Sequence, residues 1–296
     1  MRSALIFFAA CCFVPAPAAE KTDSWQPTVW HGERALISTA PGWKAIVSLA
    51  RGRLVHFGPA AAGTNLLFDT ASRDDPAGWG GHRLWLGPQR SWSKIWPPPD
   101  AWEHSGAESF TITDGTLRLV LPDAGDGWPR LTRTYAWSGA QLLCGAELSG
   151  GTRSAQFIQI IQIPQAARVE VVPQPSETVP HGYVQLPAGP IARQTTNFTS
   201  PPHATIHGTG LTLRHVGRVQ KLGFNPQPLT AHEPALTLTV GRNAQHGTTA
   251  GEPDAGFSTQ VYLGGDEPFI ELEQLSPAFS AGTSATFVIS LEGAAP

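Results

Sequence analysis

The amino-acid sequence predicts an all-β protein built from two large, mostly antiparallel sheets packed face to face. Apolar runs of five to eight residues alternate with polar residues at the two-residue period of half-buried strands. The 31 glycines and 27 prolines are scattered between these runs, as turn residues would be. Helical periodicity is nearly absent, so strands joined by turns and a few long loops must form the core.

The candidate strands follow one another along most of the chain. The strongest hairpin signal is Asp114-Gly115 between SFTIT and TLRLVLP, because the glycine accepts the positive φ of a type I′ turn. The other candidate strands are WKAIVSLA, RLVHFG, RLTRTYAW, QLLCGAEL, QFIQIIQI, ARVEVV, LTLRHV, ALTLTV, TQVYLG, FIELEQL and ATFVISL. No linker or change of composition divides them, so we predict one domain over residues 22–294.

Residues 1–19 have the pattern of a secretory signal peptide. Arg2 precedes an apolar stretch from Ala4 to Val14, and small residues with an A-x-A pattern follow. The stretch is shorter than the roughly 18 apolar residues that a membrane span requires. We therefore predict export to the periplasm or beyond, with lipoprotein anchoring at Cys11 or Cys12 as the alternative.

Composition and motifs argue against several classes of partner. The formal net charge is −3 and no basic patch or tail is present, so neither nucleic acid nor an anionic membrane is expected as a partner. Removal of the signal leaves Cys144 alone, so no intrachain disulfide is expected. The motifs of serine hydrolases, phosphate loops and zinc proteases are missing, and the histidines lack metal-ligand spacing. We expect a monomer with no metal, no cofactor and no membrane span.

A loop-rich segment, residues 78–106, contains five of the ten tryptophans and is called the Trp-rich segment below. Its three consecutive prolines exclude a central strand or a helix interior. Indoles can stack on the apolar faces of a sugar while polar side chains bond its hydroxyls, so the segment predicts a site for a mono- or oligosaccharide. The candidate substrate-binding residues are His82, Arg83, Trp85, Gln89, Trp96, Asp100 and Trp102. The alternative is that the tryptophans only cap an open end of the sandwich.

The start of the Trp-rich segment also predicts which side chains lie on the same face of an extended strand. If residues 81–86 are extended, His82 and Arg83 point in opposite directions. Trp85 then lies on the side of Arg83, so only one of the two basic residues can face a ligand.

Four sequence blocks, in this order along the chain, resemble those of a known protein family. The first is GGHRLWLGPQ together with WPPPDAWE, the second is PHGY, the third is KLGFNP and the fourth is PFIELEQLSPAFSAGTS. With them the chain resembles an uncharacterised bacterial family of the galactose mutarotase-like superfamily, the group labelled DUF4380. The resemblance covers most of the chain after the signal peptide. It implies a β-supersandwich with a sugar on its concave face, as in aldose 1-epimerases.

The resemblance also implies an acid-base pair. Opening a cyclic hemiacetal requires a base for the anomeric hydroxyl proton and an acid for the ring oxygen. In mutarotases this pair is a glutamate on a late strand and a histidine on a central one, which points here to Glu271 or Glu273 and to His181. The two glutamates share one strand face because side chains alternate, although that face could equally be solvent. His181 follows only from block order, since the central mutarotase motif is missing.

Three functions stay open at this point. The first is an aldose 1-epimerase-like isomerase, and the second is a sugar-binding protein without turnover. The third is an accessory domain related to glycosidases or polysaccharide lyases. Hydrolysis would need two opposed carboxylates, for which Asp100 or Glu103 facing Glu273 is the available pairing. The deciding observation is whether the Trp-rich segment and the glutamate strand meet.

Overall fold

A computed structural model describes residues 24–70, 79–94, 97–186, 204–215 and 217–295. The predicted signal peptide and Trp96 lie outside these residues. Within the described ranges, no helix has the length and apolar character that crossing a bilayer would require.

The described residues form strands and three short helical turns, in agreement with the all-β prediction. The strands are β1 (Gln26–Trp30), β2 (Glu33–Ala40), β3 (Trp43–Ser48), β4 (Arg53–Pro59), β5 (His82–Gly87), β6 (Ser109–Thr113), β7 (Thr116–Val120), β8 (Arg130–Ser138), β9 (Gln141–Ser149), β10 (Gln156–Pro164), β11 (Arg168–Val171), β12 (Tyr183–Leu186), β13 (Ala204–His207), β14 (Gly210–Arg214), β15 (Gln220–Phe224), β16 (Leu229–His232), β17 (Thr237–His246), β18 (Thr249–Gly251), β19 (Thr259–Leu263), β20 (Phe269–Leu275), β21 (Ala278–Phe279) and β22 (Ala285–Ala294). The helical turns are a 3-10 turn at Gln89–Ser91, the α-helix α1 at Asp100–Glu103 and a 3-10 turn at Asp254–Gly256.

Two large antiparallel sheets dominate the architecture, as predicted. The larger has ten strands in the order β13-β14-β11-β16-β17-β22-β9-β8-β7-β6. The smaller has six strands in the order β12-β15-β19-β20-β10-β5. A four-stranded sheet of β1 to β4 and the pair β18-β21 complete the described part.

The core lies between the ten-stranded and the six-stranded sheet. Phe157 of β10 stacks on Phe287 of β22, with ring centroids 6.2 Å apart. The side chain of Gln159 donates a hydrogen bond of 2.9 Å to the carbonyl oxygen of Phe287. The largest cluster of buried apolar side chains extends along the chain from Trp25 to Leu291. One face of the six-stranded sheet therefore packs against the ten-stranded sheet.

The predicted Asp114-Gly115 hairpin forms between β6 and β7. Thr113 pairs with Thr116, and the two residues between them have φ values of 49° and 76°. Positive φ at both central positions is the requirement of a type I′ turn, which matches the twist of the flanking strands.

Candidate functional site

The six-stranded sheet presents charged side chains on the face opposite the core. On β20, Ile270 and Leu272 point into the core, so Glu271 and Glu273 point the other way. The register then assigns the neighbours on this second face, which we call the Glu271 face. Its polar side chains are those of Arg83, Gln156, Gln162, Lys221, Gln260, Tyr262, Glu271 and Glu273.

Arg83 joins the Trp-rich segment to the glutamate strand. Its Nη1 lies 3.3 Å from Oε1 of Glu271, and its Nε lies 3.2 Å from Oε1 of Glu103. Gln162 donates a further hydrogen bond of 2.9 Å to the same oxygen of Glu271. Glu103 is the last residue of α1, within the Trp-rich segment. The segment and the strand therefore meet at one guanidinium.

Glu103 is held as a permanent anion. Its carboxylate lies 3.3 Å from Arg53 and accepts a hydrogen bond of 2.8 Å from the indole nitrogen of Trp85. Burial alone would raise the pKa of Glu103, but the charges of Arg53 and Arg83 outweigh it and hold the pKa at about 2. A carboxylate with this pKa does not release or take up a proton near neutral pH, so Glu103 serves to position Arg83.

Glu271 has the opposite electrostatic character. Burial raises its pKa to about 7, and the neighbouring Glu273 adds to the effect. Arg83, Lys221 and the hydrogen bond from Gln162 act in the lowering direction without cancelling it. A carboxyl group with a pKa near the working pH can both accept and donate a proton. Glu271 is therefore the group on this face that is suited to acid-base chemistry.

Glu273 and Tyr262 complete the charged part of the face. Lys221 Nζ lies 2.9 Å from the Glu273 carboxylate, and its side chain keeps 15% of its area exposed. The Tyr262 hydroxyl donates a hydrogen bond of 3.3 Å to Glu267, and burial raises the pKa of this phenol. Tyr262 is thus a neutral hydroxyl group between the ammonium of Lys221 and the carboxyl of Glu271 in the sheet register.

Four of the residues predicted from the sequence come together here. Arg83, Trp85, Glu271 and Glu273 share the Glu271 face, and the Arg83 guanidinium carbon lies 5.7 Å from the ring centroid of Trp85. Trp85 is only 2% exposed and packs edge-on against Trp92. In this structure its ring is therefore part of the packing rather than an open stacking surface.

Two other predicted residues lie within the packed interior. Trp102 is 1% exposed and packs edge-on against Trp128. His82 points away from the Glu271 face, and its Nε2 lies 2.9 Å from the side-chain oxygen of Gln159. Burial, with the nearby charge of Arg133, lowers the pKa of His82 well below its ordinary value. A ligand on the Glu271 face would not reach either side chain.

His181 and Asp100 lie at the surface, and Gln89 is half-buried. His181 is exposed in the turn before β12, with its ring centroid 6.2 Å from that of Tyr183. Asp100 is exposed at the start of α1. Gln89 begins the 3-10 turn after β5, and its backbone N–H donates a hydrogen bond of 3.0 Å to the Asp254 carboxylate. The structure brings none of these three onto the strands of the Glu271 face.

Sequence reasoning did not single out Gln162, Lys221 and Tyr262. Each is a polar residue at an alternate position of an otherwise apolar strand, and that alternation was the available signal. The strands that form the described Glu271 face contribute no histidine to it. Likewise, three or more His, Cys, Asp or Glu side chains do not converge as metal ligands anywhere in the described ranges.

Comparison with solved structures identifies the fold. A protein from Escherichia coli K12, provisionally named as an aldose 1-epimerase, matches with a TM-score of 0.59 at 13% identity, over 88% of this chain and 99% of its own. The chain has the galactose mutarotase fold. Galactose 1-epimerase from Lactobacillus acidophilus shares this mutarotase fold with a TM-score of 0.55 at 11% identity, over 92% and 99% of the two chains. No protein-family model and no curated protein sequence matches.

Proposed function

We propose that this chain is an exported sugar-binding protein that exchanges the anomers of an aldose on its Glu271 face. The observation that carries the proposal is the buried Glu271 carboxyl, with a pKa of about 7, between the charges of Arg83 and Glu273. Two proteins that share the mutarotase fold are named for aldose and galactose 1-epimerisation, and those names supply the reaction to test. Membership of the DUF4380 group belongs to the same proposal and rests on the four sequence blocks.

The proposed reaction opens and closes the sugar ring. Glu271 takes the proton of the anomeric hydroxyl, the bond between C1 and the ring oxygen breaks, and C1 becomes a carbonyl carbon. Lys221 gives a proton to the ring oxygen. After rotation about the C1–C2 bond the ring closes on the other face of C1, and both protons return.

The sheet register suits this division of roles. Lys221 and Glu271 are the two neighbours of Tyr262 in one row across three strands. Their Cα atoms are therefore two strand spacings, or about 10 Å, apart. A single sugar ring placed over Tyr262 would have the ammonium on one side and the carboxyl on the other.

Arg83 has a supporting role in the proposal. Its guanidinium stays charged and, 3.3 Å from Glu271, stabilises the carboxylate that remains when the proton leaves. Glu103 keeps the guanidinium in place from the other side. The same arrangement argues against Glu103 as the general acid of a hydrolase, because its pKa is held at about 2.

A binding protein without turnover is the second candidate. No histidine of the described strands points onto the Glu271 face, since His82 of β5 points to the opposite side, whereas mutarotases use a histidine as the acid. Trp85 is buried, so sugar binding would depend on polar contacts more than on this ring. Such a protein would bind a sugar on the same face and leave the anomers unchanged.

Freshly dissolved α-D-galactose and α-D-glucose separate the two candidates. We expect the wild type to speed anomer equilibration, followed by polarimetry or exchange NMR, and Glu271→Gln to lower the rate by about a hundredfold or more. Glu292→Gln is the matched control, because Glu292 is an exposed strand carboxylate on β22. Binding without acceleration would establish the second candidate, and neither binding nor acceleration by any aldose would overturn the sugar site.

Export has its own test. The proposal rests on the charged start, the apolar stretch and the small residues of positions 1–19. N-terminal sequencing of protein recovered from outside the cytoplasm should give a start near residue 20. A recovered chain that still begins at Met1 would contradict signal cleavage.

A further inference from the structure

A cavity of about 920 Å³ lies at one end of the ten-stranded sheet. Along β11, Val169 and Val171 point into the core, so Arg168 and Glu170 point to the opposite, outer face. Both of these outer side chains line the cavity. We call it the β11 groove, and it belongs to a different sheet from the Glu271 face.

Basic side chains form a row across the β11 groove. Arg168 pairs with Arg214 of β14 on one side and with His232 of β16 on the other. Adjacent strands are about 4.8 Å apart, so the three Cα atoms span about 10 Å. Glu170 is the one carboxylate among the described residues that line the groove, and it lies 3.0 Å from His232 Nε2 and 3.6 Å from Arg168 Nε. Two guanidinium groups therefore face one carboxylate, which leaves a positive surplus on a chain whose net charge is −3.

Uncharged hydrogen-bonding groups form the next row of the groove. Glu170 pairs with Thr212 on one side and Thr230 on the other, and both threonines line the cavity. Gln227 lines it too and is only 6% exposed, yet its Nε2 has no hydrogen-bond partner. This nitrogen has almost no exposed area, so Gln227 forms part of the wall of the groove and does not present a donor to it.

We propose that the β11 groove binds a carboxylic acid that carries several hydroxyl groups, such as a uronic acid. A guanidinium fork binds a carboxylate through two parallel hydrogen bonds, and Arg168 and Arg214 supply two such forks. The hydroxyls of Thr212 and Thr230 match the hydroxyl groups of the same ligand. The groove and its basic side chains belong to the ten-stranded sheet and share no residue with the Glu271 face. Binding in the groove therefore does not depend on the proposed anomer exchange.

Calorimetric titration with D-galacturonate and with neutral D-galactose tests the site. We expect the wild type to bind galacturonate more tightly than galactose, and Arg168→Gln to weaken galacturonate binding by about tenfold or more. Thr212→Val should weaken galacturonate binding several-fold because the hydroxyl is lost. The strand should stay packed, because threonine and valine side chains are close in volume. Arg118→Gln is the matched control, since Arg118 is an exposed arginine of β7 in the same sheet that pairs with Glu147 at 2.8 Å.

Several results would overturn the proposal. Failure of the wild type to bind galacturonate would do so, as would equal affinity for galacturonate and galactose. An unchanged affinity in Arg168→Gln, or an equal loss in Arg118→Gln, would show that the groove arginines do not recognise the carboxylate. Loss of galacturonate binding in Glu271→Gln with full binding in Arg168→Gln would place the acid on the Glu271 face instead.

Discussion

Arg83 and Glu271 are 188 positions apart in the chain, and the Nη1 of Arg83 lies 3.3 Å from the Oε1 of Glu271. The contact spans β10, which lies between β5 and β20 in the six-stranded sheet. Because Arg83 also pairs with Glu103, the contact ties the Trp-rich segment to the glutamate strand. One buried arginine therefore lies between two buried carboxylates.

Glu271 should make folding stability depend on pH near neutrality. Its carboxyl has an ordinary pKa of 4.5 and a folded pKa of about 7. Between these values the folded protein holds a proton that the unfolded chain releases, so rising pH destabilises the folded state across this window. The loss of unfolding free energy should reach at most about 3 kcal/mol.

Urea unfolding at a series of pH values checks this prediction. Glu271→Gln cannot lose a proton, so its unfolding free energy should lack the decline that the wild type shows between pH about 4.5 and about 7. Glu292→Gln, at an exposed carboxylate, should decline as the wild type does. Parallel curves for Glu271→Gln and the wild type would mean that Glu271 titrates normally.

Arg83 and Glu271 should be energetically coupled. Arg83→Met leaves the buried Glu271 without its closest cation, so the pKa of Glu271 should rise further above about 7. A double-mutant cycle combines Arg83→Met with Glu271→Gln. The double variant should lose less unfolding free energy than the sum of the two single losses, by about 1 to 3 kcal/mol.

An exposed pair provides the comparison for this cycle. Arg118 and Glu147 are 2.8 Å apart with side chains 45% and 36% exposed. Their cycle, measured with the same substitutions, should give a coupling of less than about 1 kcal/mol. Equal coupling in the two cycles would contradict the view that burial makes the Arg83 contact strong.

Glu103 should contribute more to stability than a surface glutamate does. Its removal leaves Arg53 and Arg83 buried without their shared anion, so Glu103→Gln should cost about 3 to 5 kcal/mol at neutral pH. Because the folded pKa of about 2 lies below the ordinary 4.5, this contribution should vanish as pH falls from 4.5 towards 2.

Chemical denaturation of Glu103→Gln and Glu108→Gln measures the difference. Glu108 also pairs with an arginine, Arg130, but both side chains are exposed, at 54% and 39%. Glu108→Gln should cost less than about 1 kcal/mol. A similar small cost for both variants would show that Glu103 does not hold the buried arginines together.

Gly81, which leads into β5, should tolerate no side chain. Its φ is 74°, and a Cβ there would collide with the carbonyl oxygen of Leu54. Gly139 has a similar φ of 61° but open space around it. Gly81→Ala should therefore cost at least about 3 kcal/mol in thermal or urea unfolding, whereas Gly139→Ala should cost about 1 kcal/mol. Equal costs would mean that φ alone, rather than the close approach to β4, requires glycine.

The strand alternation and one hairpin were readable from the sequence by itself. Asp114-Gly115 forms the predicted turn because its backbone preference is local. Glu271 and Glu273 share a face, and His82 and Arg83 point in opposite directions, because the two-residue period of a strand is also local. Local chemistry was enough for the fold class and for the facing of these side chains.

Only the tertiary structure decided which side chains meet. The contacts of Arg83 with Glu271 and of Lys221 with Glu273 join strands far apart in the sequence, and their register is set by packing against the core. The burial of Trp85 is likewise a result of packing, since composition does not distinguish a stacking indole from a core indole. The unequal pKa values of Glu103 and Glu271 arise because charge and desolvation act through space, and the order of residues along a chain does not specify those distances.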